Sequence, residues 1–161
     1  MTLLEGPDLR RIAGHFPTGV AVVTAHRAGA PCGLTVNSFT TVSLEPPLIL
    51  VCIARHARAH ACMAEARRFA VNVLAEDQED LARLFASLAE DKFAGLAYSL
   101  SPGGAPLLQG SHAWLDCEEV GRHDGGRTHD IVVGRVTAGA AGRGRPLAFY
   151  ASRYARLATS R

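Results

Sequence analysis

Between Phe16 and Pro47 the chain reads FPTGVAVVTAHRAGAPCGLTVNSFTTVSLEPP. Runs of β-branched residues are separated by connections too short to hold a crossover helix. Such spacing commits this part of the chain to antiparallel hairpins. Gly19 to His26 is rich in Val and Thr and reads as a strand. Ala28-Gly29-Ala30-Pro31 is a turn. A second strand is expected from Cys32 to about Asn37, and a third from Thr40 to Leu44, stopping before Pro46 and Pro47. Leu48 to Ile53 is continuously apolar, the pattern of a strand buried on both faces.

The rest of the chain adds helices around further strands. Asp8 can cap a first helix through about Phe16, with Leu9, Ile12, Ala13 and Phe16 as its buried stripe. Ala57 to Arg68 is alanine-rich and favours helix. Phe69 to Leu74 alternates as a strand, with Asn72 on the face opposite Val71 and Val73. Asp77 or Gln78 opens another helix, striped by Leu81, Leu84, Phe85 and Leu88. Ala94 to Gln109, centred on Pro102-Gly103-Gly104-Ala105-Pro106, is expected to be irregular and the most mobile interior segment. Strands follow at Ala113–Val120, Asp130–Ala138 and Leu147–Tyr150, with Arg122 to Arg127 as a polar loop. Strands outnumber helices. The expected fold is therefore mainly β (a β-rich α+β class), a closed or nearly closed antiparallel barrel with helices packed outside it. One domain over residues 1–161 is expected, without linker or repeat.

Composition excludes several function classes. With 48% hydrophobic and 20% charged residues the chain is globular rather than disordered. A net charge of +2 is too small for a nucleic-acid surface. Lys92 is the only lysine among many arginines, a bias spread along the whole chain. Cys32, Cys52, Cys62 and Cys117 form no CxxC pair, and the histidines show no HxxxH or HExxH spacing, which argues against a metal site. A chain of this length builds its own core, so a disulfide framework is not expected, and Cys52 reads as a buried free thiol. The start, MTLLEGPDLRR, lacks the features of a leader, and no apolar run approaches the roughly 20 residues of a membrane span. A soluble cytoplasmic protein is expected.

No GxGxxG, Walker or GxSxG loop is present, so any nucleotide must be held by strand ends and loops. Four constellations offer suitable groups. Thr35-Val36-Asn37-Ser38, followed by Thr40, Thr41 and Ser43, can meet the polar edge of a planar ring, Asn supplying donor and acceptor together. The alternative is an ordinary polar turn. In Cys52–His60, CIARHARAH, a strand runs into a helix start where Arg55, Arg58 and His60 can cradle a phosphate, or simply be solvated. His129 stands at a strand mouth beside a Gly/Arg loop, able to contact a ligand or to make a turn hydrogen bond. Arg153 and Tyr154, after Tyr150-Ala151-Ser152, suit phosphates and ring faces, or pin the tail to the core.

The blocks FPTGVAVVTA, GLTVNSFTTVSLEPPL, FAVNVLAEDQEDLARLF, DKFAG, THDIVVGRV and PLAFYASRYARL together resemble, in order, the short-chain flavin-reductase family over roughly residues 8–157. Members include reductase components of two-component flavin-dependent monooxygenases. The resemblance implies a split β-barrel that binds FMN or FAD, usually as a homodimer. It implies that Thr35, Val36, Asn37 and Ser38 lie along the flavin ring, backed by Cys52, Ile53 and Ala54. Arg58 and His60 would fall in the phosphate-holding segment, and Phe93 near the ribityl or adenine side. His129 would face the nicotinamide, with Arg153 and Tyr154 lining the same mouth. Two departures fall on that side. Many relatives have Gly-Asp-His where this chain has Arg127-Thr128-His129, and many have glycine where Ser152 stands.

The implied activity is reduction of FMN or FAD by NADH or NADPH, NADH being favoured, with reduced flavin passed to a partner monooxygenase. The organic chemistry belongs to the cofactors, and the protein supplies geometry. Two rivals remain open at this point: a flavin-binding module without reductase activity, and a self-contained flavoenzyme acting on a small organic substrate.

Overall fold

Seven strands hydrogen-bond into one antiparallel sheet in the computed structural model, which describes residues 3–158. They are β2 (Ala21–Arg27), β3 (Ala30–Val36), β4 (Thr40–Leu44), β5 (Pro47–Ala54), β6 (Arg68–Val73), β9 (Ala113–Asp124) and β10 (His129–Ala141). The order is β3-β2-β6-β9-β10-β5-β4. Two smaller sheets complete the strands: β1 (Thr18–Gly19) with β11 (Leu147–Tyr150) and β12 (Arg153–Arg156), and a hairpin of β7 (Tyr98–Leu100) with β8 (Pro106–Leu108). Three helices flank them, α1 (Gly6–Ala13), α2 (His60–Ala66) and α3 (Glu79–Ala86).

The large sheet curls on itself as a split barrel, bringing its β3 edge back toward β5. Ser38, just past β3, marks the seam: its Oγ accepts a 2.9 Å hydrogen bond from the Cys52 amide. The register explains why. Thr40 pairs with Leu50, so β4 ends before it can reach Cys52, and a side-chain hydroxyl takes the place of the missing ladder partner. Inside the barrel Val23, Ile49, Val51, Ile53, Phe69, Val71 and Val132 form one core, and Met63 of α2 packs into it. Outside, α3 and β8 lay Ala82, Phe85 and Leu108 over Val22 and Leu74 as a second core.

That second layer corrects which strand is buried on both faces. Ala21 to Ala25 of β2 are all buried, because the barrel core covers one face and α3 with the β7–β8 hairpin covers the other. In β5 only Ile49, Val51 and Ile53 are fully buried, while Leu48, Leu50, Cys52 and Ala54 point outward and stay half-exposed. Cys52 is therefore a half-buried thiol, and Cys117 is the fully buried one. The Glu45–Pro46 peptide between β4 and β5 is cis.

The helices form close to where patterning predicts them, with different surroundings. In α1 the chain turns earlier, at Glu5, with Pro7 in the first turn and Asp8 inside the helix rather than capping it. None of its residues is buried: Leu9 and Ile12 are 58% and 48% exposed, and Phe16 beyond its end is 76% exposed. α2 is shorter than expected and ends where Arg67 adopts a left-handed conformation. Leu88 falls past the end of α3 and is exposed, whereas Ala82 and Phe85 are buried.

Ala94–Gln109 is not an irregular segment. Its β7–β8 hairpin is pinned to the barrel by two buried side chains. Asn72 accepts from the Leu108 amide (2.8 Å) and donates to the Pro106 carbonyl (3.3 Å). Asp116 accepts from the Ser101 hydroxyl (2.8 Å) and the Gly103 amide (2.7 Å). β9 and β10 run on into the expected 122–127 loop and shorten it to a turn beyond Asp124. Strand β12, missed in the sequence, pairs with β11 through a tight Ala151–Ser152 turn, both residues in the left-handed region (φ 48° and 62°). Against the expectation of no disulfide framework, Cys32 of β3 and Cys62 of α2 are disulfide-bonded with Cα atoms 6.5 Å apart. Sequence spacing carries no trace of this contact, because α2 closes one barrel end beside β3 only in the folded chain.

Candidate functional site

Three clefts lie near the seam, and six of the residues expected at a ligand site, Thr35, Val36, Asn37, Arg58, Phe93 and Tyr154, line two of them. In the first, Thr35, Val36 and Asn37 at the end of β3 meet Val20, Phe149 and Tyr154. Thr35 is committed to structure: its hydroxyl donates to the Ala82 carbonyl of α3 at 2.7 Å. Ser38 is likewise committed at the seam to Cys52. Val36 turns its side chain into the barrel core. Asn37 differs from these. It is exposed, and among the described residues its amide makes no hydrogen bond. A free amide beside apolar and aromatic walls fits a planar ligand with a polar edge.

Tyr154 is held as a wall of this cleft. Its ring stands edge-on to Phe149 at 5.4 Å, and the Arg83 guanidinium lies 4.9 Å over its face. Arg83 is itself fixed by Glu79 through two hydrogen bonds of 3.0 and 2.6 Å. Burial pushes the Tyr154 phenol above its ordinary value, so it stays protonated at neutral pH and keeps its O–H donor.

The second cleft lies two residues further back along β3, about 7 Å by strand rise. Cys32, Gly33, Arg58, Lys92 and Phe93 line it. Phe93 is buried between Phe85 and Tyr98, with centroids at 5.1 and 5.4 Å. Lys92 is 8% exposed, and its ammonium donates to the Phe85 carbonyl at 2.8 Å. Burial first, and Arg58 second, lower its pKa. Glu90 and Asp91 line the same cleft, and among the described residues Arg58 pairs with the exposed Glu90 at 3.6 Å. An anionic group entering here would draw Arg58 away from a loose, exposed partner. Sequence reasoning passed over Lys92, although its being the only lysine was a signal.

The third cleft, about 670 Å³, lies between α1, Thr128 and the Ala151–Ser152 turn. The β11–β12 hairpin divides it from the first cleft, with Tyr154 on one side and the turn on the other. His129 is half-buried at the mouth of β10, paired with Ala54, and its Nδ1 lies 2.9 Å from the Thr128 hydroxyl. Arg153 is exposed at the start of β12. Thr128 and Ser152, the chain neighbours of His129 and Arg153, line the third cleft, whereas Tyr154 lines the first.

Besides Thr35, Val36 and Ser38, two further expected ligand residues turn elsewhere. Ile53 is fully buried with its side chain in the barrel core, so only its backbone faces outward. His60 does not join Arg58. Its Nε2 lies 2.7 Å from Asp130 Oδ2, inside an ion cluster at the barrel end. Asp130 also accepts from Arg55 Nε at 2.9 Å and Arg122 Nη1 at 3.3 Å. Arg55 bonds Asp124 as well (2.6 Å), and Arg122 grips Glu119. These contacts, the His60 hydrogen bond foremost and those of Arg55 next, hold the Asp130 carboxyl down to about 2 against the opposing effect of burial. A carboxylate held lower in the folded state stabilises it fully above the unfolded value near 4, and the contribution drains away as pH falls toward 2. Asp130→Asn should remove this component, read as a shallower fall of Tm between about pH 4 and 2 than in the parent chain.

The family model for the flavin reductase-like domain matches residues 13–158. The chain is 42% identical to the flavin-dependent monooxygenase reductase subunit HsaB of Rhodococcus jostii, over 90% of this chain and 74% of that one. It is 40% identical to the reductase component of a 4-nitrophenol 4-monooxygenase/4-nitrocatechol 2-monooxygenase of Rhodococcus opacus, over 94% of this chain and 80% of that one. Two Rhizobium meliloti relatives are longer: the chain spans about half their length, 42% and 56%. Among solved structures, the NADH:FAD oxidoreductase SgcE6 of Streptomyces globisporus superposes with a TM-score of 0.89 at 39% identity, covering 98% of each chain. The styrene monooxygenase flavin reductase of Pseudomonas putida S12 gives 0.86 at 34% identity, covering 95% of this chain and 99% of that one. With the family model spanning residues 13–158 and relatives at 40% identity or more over at least nine-tenths of this chain, this chain belongs to the flavin reductase-like domain family.

Proposed function

We propose that this chain is an NAD(P)H:flavin oxidoreductase that reduces FMN or FAD, with NADH as the preferred donor, and supplies reduced flavin to a partner monooxygenase. The observation that carries the reading is the unpaired Asn37 amide on an aromatic-walled cleft, one strand step from a cleft bearing Arg58 and Lys92. A flavin presents the same sequence of groups, a planar ring with a polar edge and then a phosphate. When bound, it supplies the hydride acceptor, and the nicotinamide supplies the hydride.

The chain's own residues bind and orient. Asn37 addresses the ring edge, the backbones of Val36 and Cys52–Ala54 back the ring, and Phe149 and Tyr154 wall it. Arg58 and Lys92 take the phosphate, and Phe93 closes the cleft beside them. His129, Arg153 and Tyr154 orient the nicotinamide at the hairpin mouth. The names of relatives support the partner and the donor: HsaB is a monooxygenase reductase subunit, and SgcE6 an NADH:FAD oxidoreductase. Among the described residues no helix is long and apolar enough to cross a membrane. A cytoplasmic location agrees with a need for NADH.

A homodimer is part of the proposal. Leu9, Ile12 and Phe16 are exposed on and beside α1, and the outward faces of β5 and β10 present the half-buried Leu50, Cys52, Ile131 and Val133. A second copy laid on these surfaces would remove them from water.

The test is anaerobic NADH oxidation with free FMN or FAD, each flavin and each nicotinamide in turn. Rapid flavin bleaching is expected, and a chain that binds flavin without bleaching would be a storage or sensing module instead. Asn37→Ala should weaken flavin binding by roughly 1–3 kcal/mol, or about 5- to 150-fold in Kd. His129→Ala should raise KM for NADH or slow hydride transfer while leaving flavin affinity in place. The reverse pattern in either variant removes that residue from its assigned side.

A further inference from the structure

We propose that Asp130 is a positioning residue for the flavin phosphate: it clamps both ends of the 55–60 segment and so presents Arg58 to the phosphate cleft. The inference rests on the reading of that cleft as the phosphate site.

The geometry is that of one carboxylate holding two points of one turn. Oδ1 takes Arg55 Nε at 2.9 Å and Nη2 at 2.8 Å, and Oδ2 takes His60 Nε2 at 2.7 Å. Arg58 lies between these two anchors in sequence, and its guanidinium lines the cleft with Lys92. Arg122 steadies the carboxylate from the neighbouring strand β9, at 3.3 Å, and also donates to the Met63 carbonyl of α2 at 3.2 Å. Asp130 is 9% exposed and opposes Ile53 in the β5–β10 register, so its backbone is fixed by the sheet. Between the anchors Ala59 is buried in the barrel core with Ala57 packed against it, local turn bonds run from Ala57 to Ala54 at 3.1 Å and from His60 to Ala57 at 2.9 Å, and the Arg55 amide donates to Thr128.

Charge bookkeeping supports the same division of labour. Arg55 and Arg122 are matched by Asp124, Asp130 and Glu119, so neither carries an uncompensated charge for a ligand. Among the described residues Arg58 pairs only with the exposed Glu90, at 3.6 Å. A turn held in its bound shape loses less conformational freedom when the anion arrives, which favours affinity without any contact from Asp130 itself. His129 precedes Asp130 in β10, so the same strand position serves both ligand sides.

The experiment compares FMN with riboflavin, which lacks the phosphate, as substrates of the parent chain, Asp130→Asn and Arg58→Ala. Arg58→Ala should raise KM for FMN at least tenfold and leave riboflavin within about twofold. Asp130→Asn should reproduce that phosphate-dependent rise, with kcat changed less than KM. A merely structural role would move both substrates together. Equal effects on FMN and riboflavin, or none, in Asp130→Asn while Arg58→Ala discriminates would overturn the positioning role. Failure of Arg58→Ala to discriminate would instead overturn the phosphate reading, and the inference with it. If Asp130→Asn does not fold, Arg122→Gln carries the test, with a threefold or greater FMN-selective rise expected and an equal shift for both flavins as the refuting result.

Discussion

Replacing Asn72 by alanine should cost about 3–5 kcal/mol of stability, because several buried polar groups lose their partner at once. The side chain is fully buried on the outer face of β6. Its amide donates to the Val22 carbonyl at 3.1 Å, the Thr24 hydroxyl at 3.0 Å and the Pro106 carbonyl at 3.3 Å, and its oxygen accepts from the Leu108 amide at 2.8 Å. Alanine fills none of these roles, and the covering hairpin keeps water from replacing them. Each orphaned group carries a desolvation cost of about 1–3 kcal/mol, reduced by local relaxation. Chemical denaturation should show the loss as a lower midpoint, and Tm should fall by about 10 °C. The β7–β8 hairpin should loosen first, seen as faster amide exchange at Leu108. A loss below 1 kcal/mol with the hairpin still protected would mean that Asn72 is not its anchor. Tyr98 of that hairpin stacks on Phe93 at 5.4 Å, so flavin affinity should weaken along with stability.

Gly134→Val should be comparably damaging for the opposite reason, overpacking. A Cβ on Gly134 would stand 2.6 Å from Phe69 Cζ and 3.1 Å from Cys117 Cβ, inside the barrel core. Phe69 is 2% exposed and Cys117 fully buried, so neither can swing out. A valine there forces off-rotamer side chains or spreads β10 from its neighbours, at about 3 kcal/mol or more. Phe69→Leu in the same chain removes the far edge of the ring and should return part of the loss. A Gly134→Val chain with unchanged stability, or one that Phe69→Leu destabilises further, would contradict the clash.

Much of the architecture was readable before folding. Period-2 alternation and Gly/Pro turns placed β2, β3, β4 and β6 within a few residues, since strand and turn propensities act locally. The ordered blocks also identified the family. Burial was less readable. The unbroken apolar run Leu48–Ile53 predicts cover on both faces, yet the chain places its second layer over β2 instead. Leu9, Ile12 and Phe16 have core-like spacing and no core in this chain to enter.

Within the site, residue type alone did not separate a ligand group from a structural one. Thr35, Ser38 and Asn37 look alike as small polar residues. Two of them are consumed by Ala82 and Cys52, and only the third keeps its hydrogen-bonding groups open. His60 and Arg58 look like one basic cluster, but Asp130 withdraws the histidine and leaves Lys92 in its place. By itself the sequence determined the strand periodicity, the turn positions and the family. Those follow from local sterics and from blocks contiguous in the chain. Tertiary structure alone decided which polar groups are spent on the fold and which remain for a ligand. That choice depends on partners as far apart as Asn72 and Leu108, or His60 and Asp130, which only the closed barrel brings within hydrogen-bond distance.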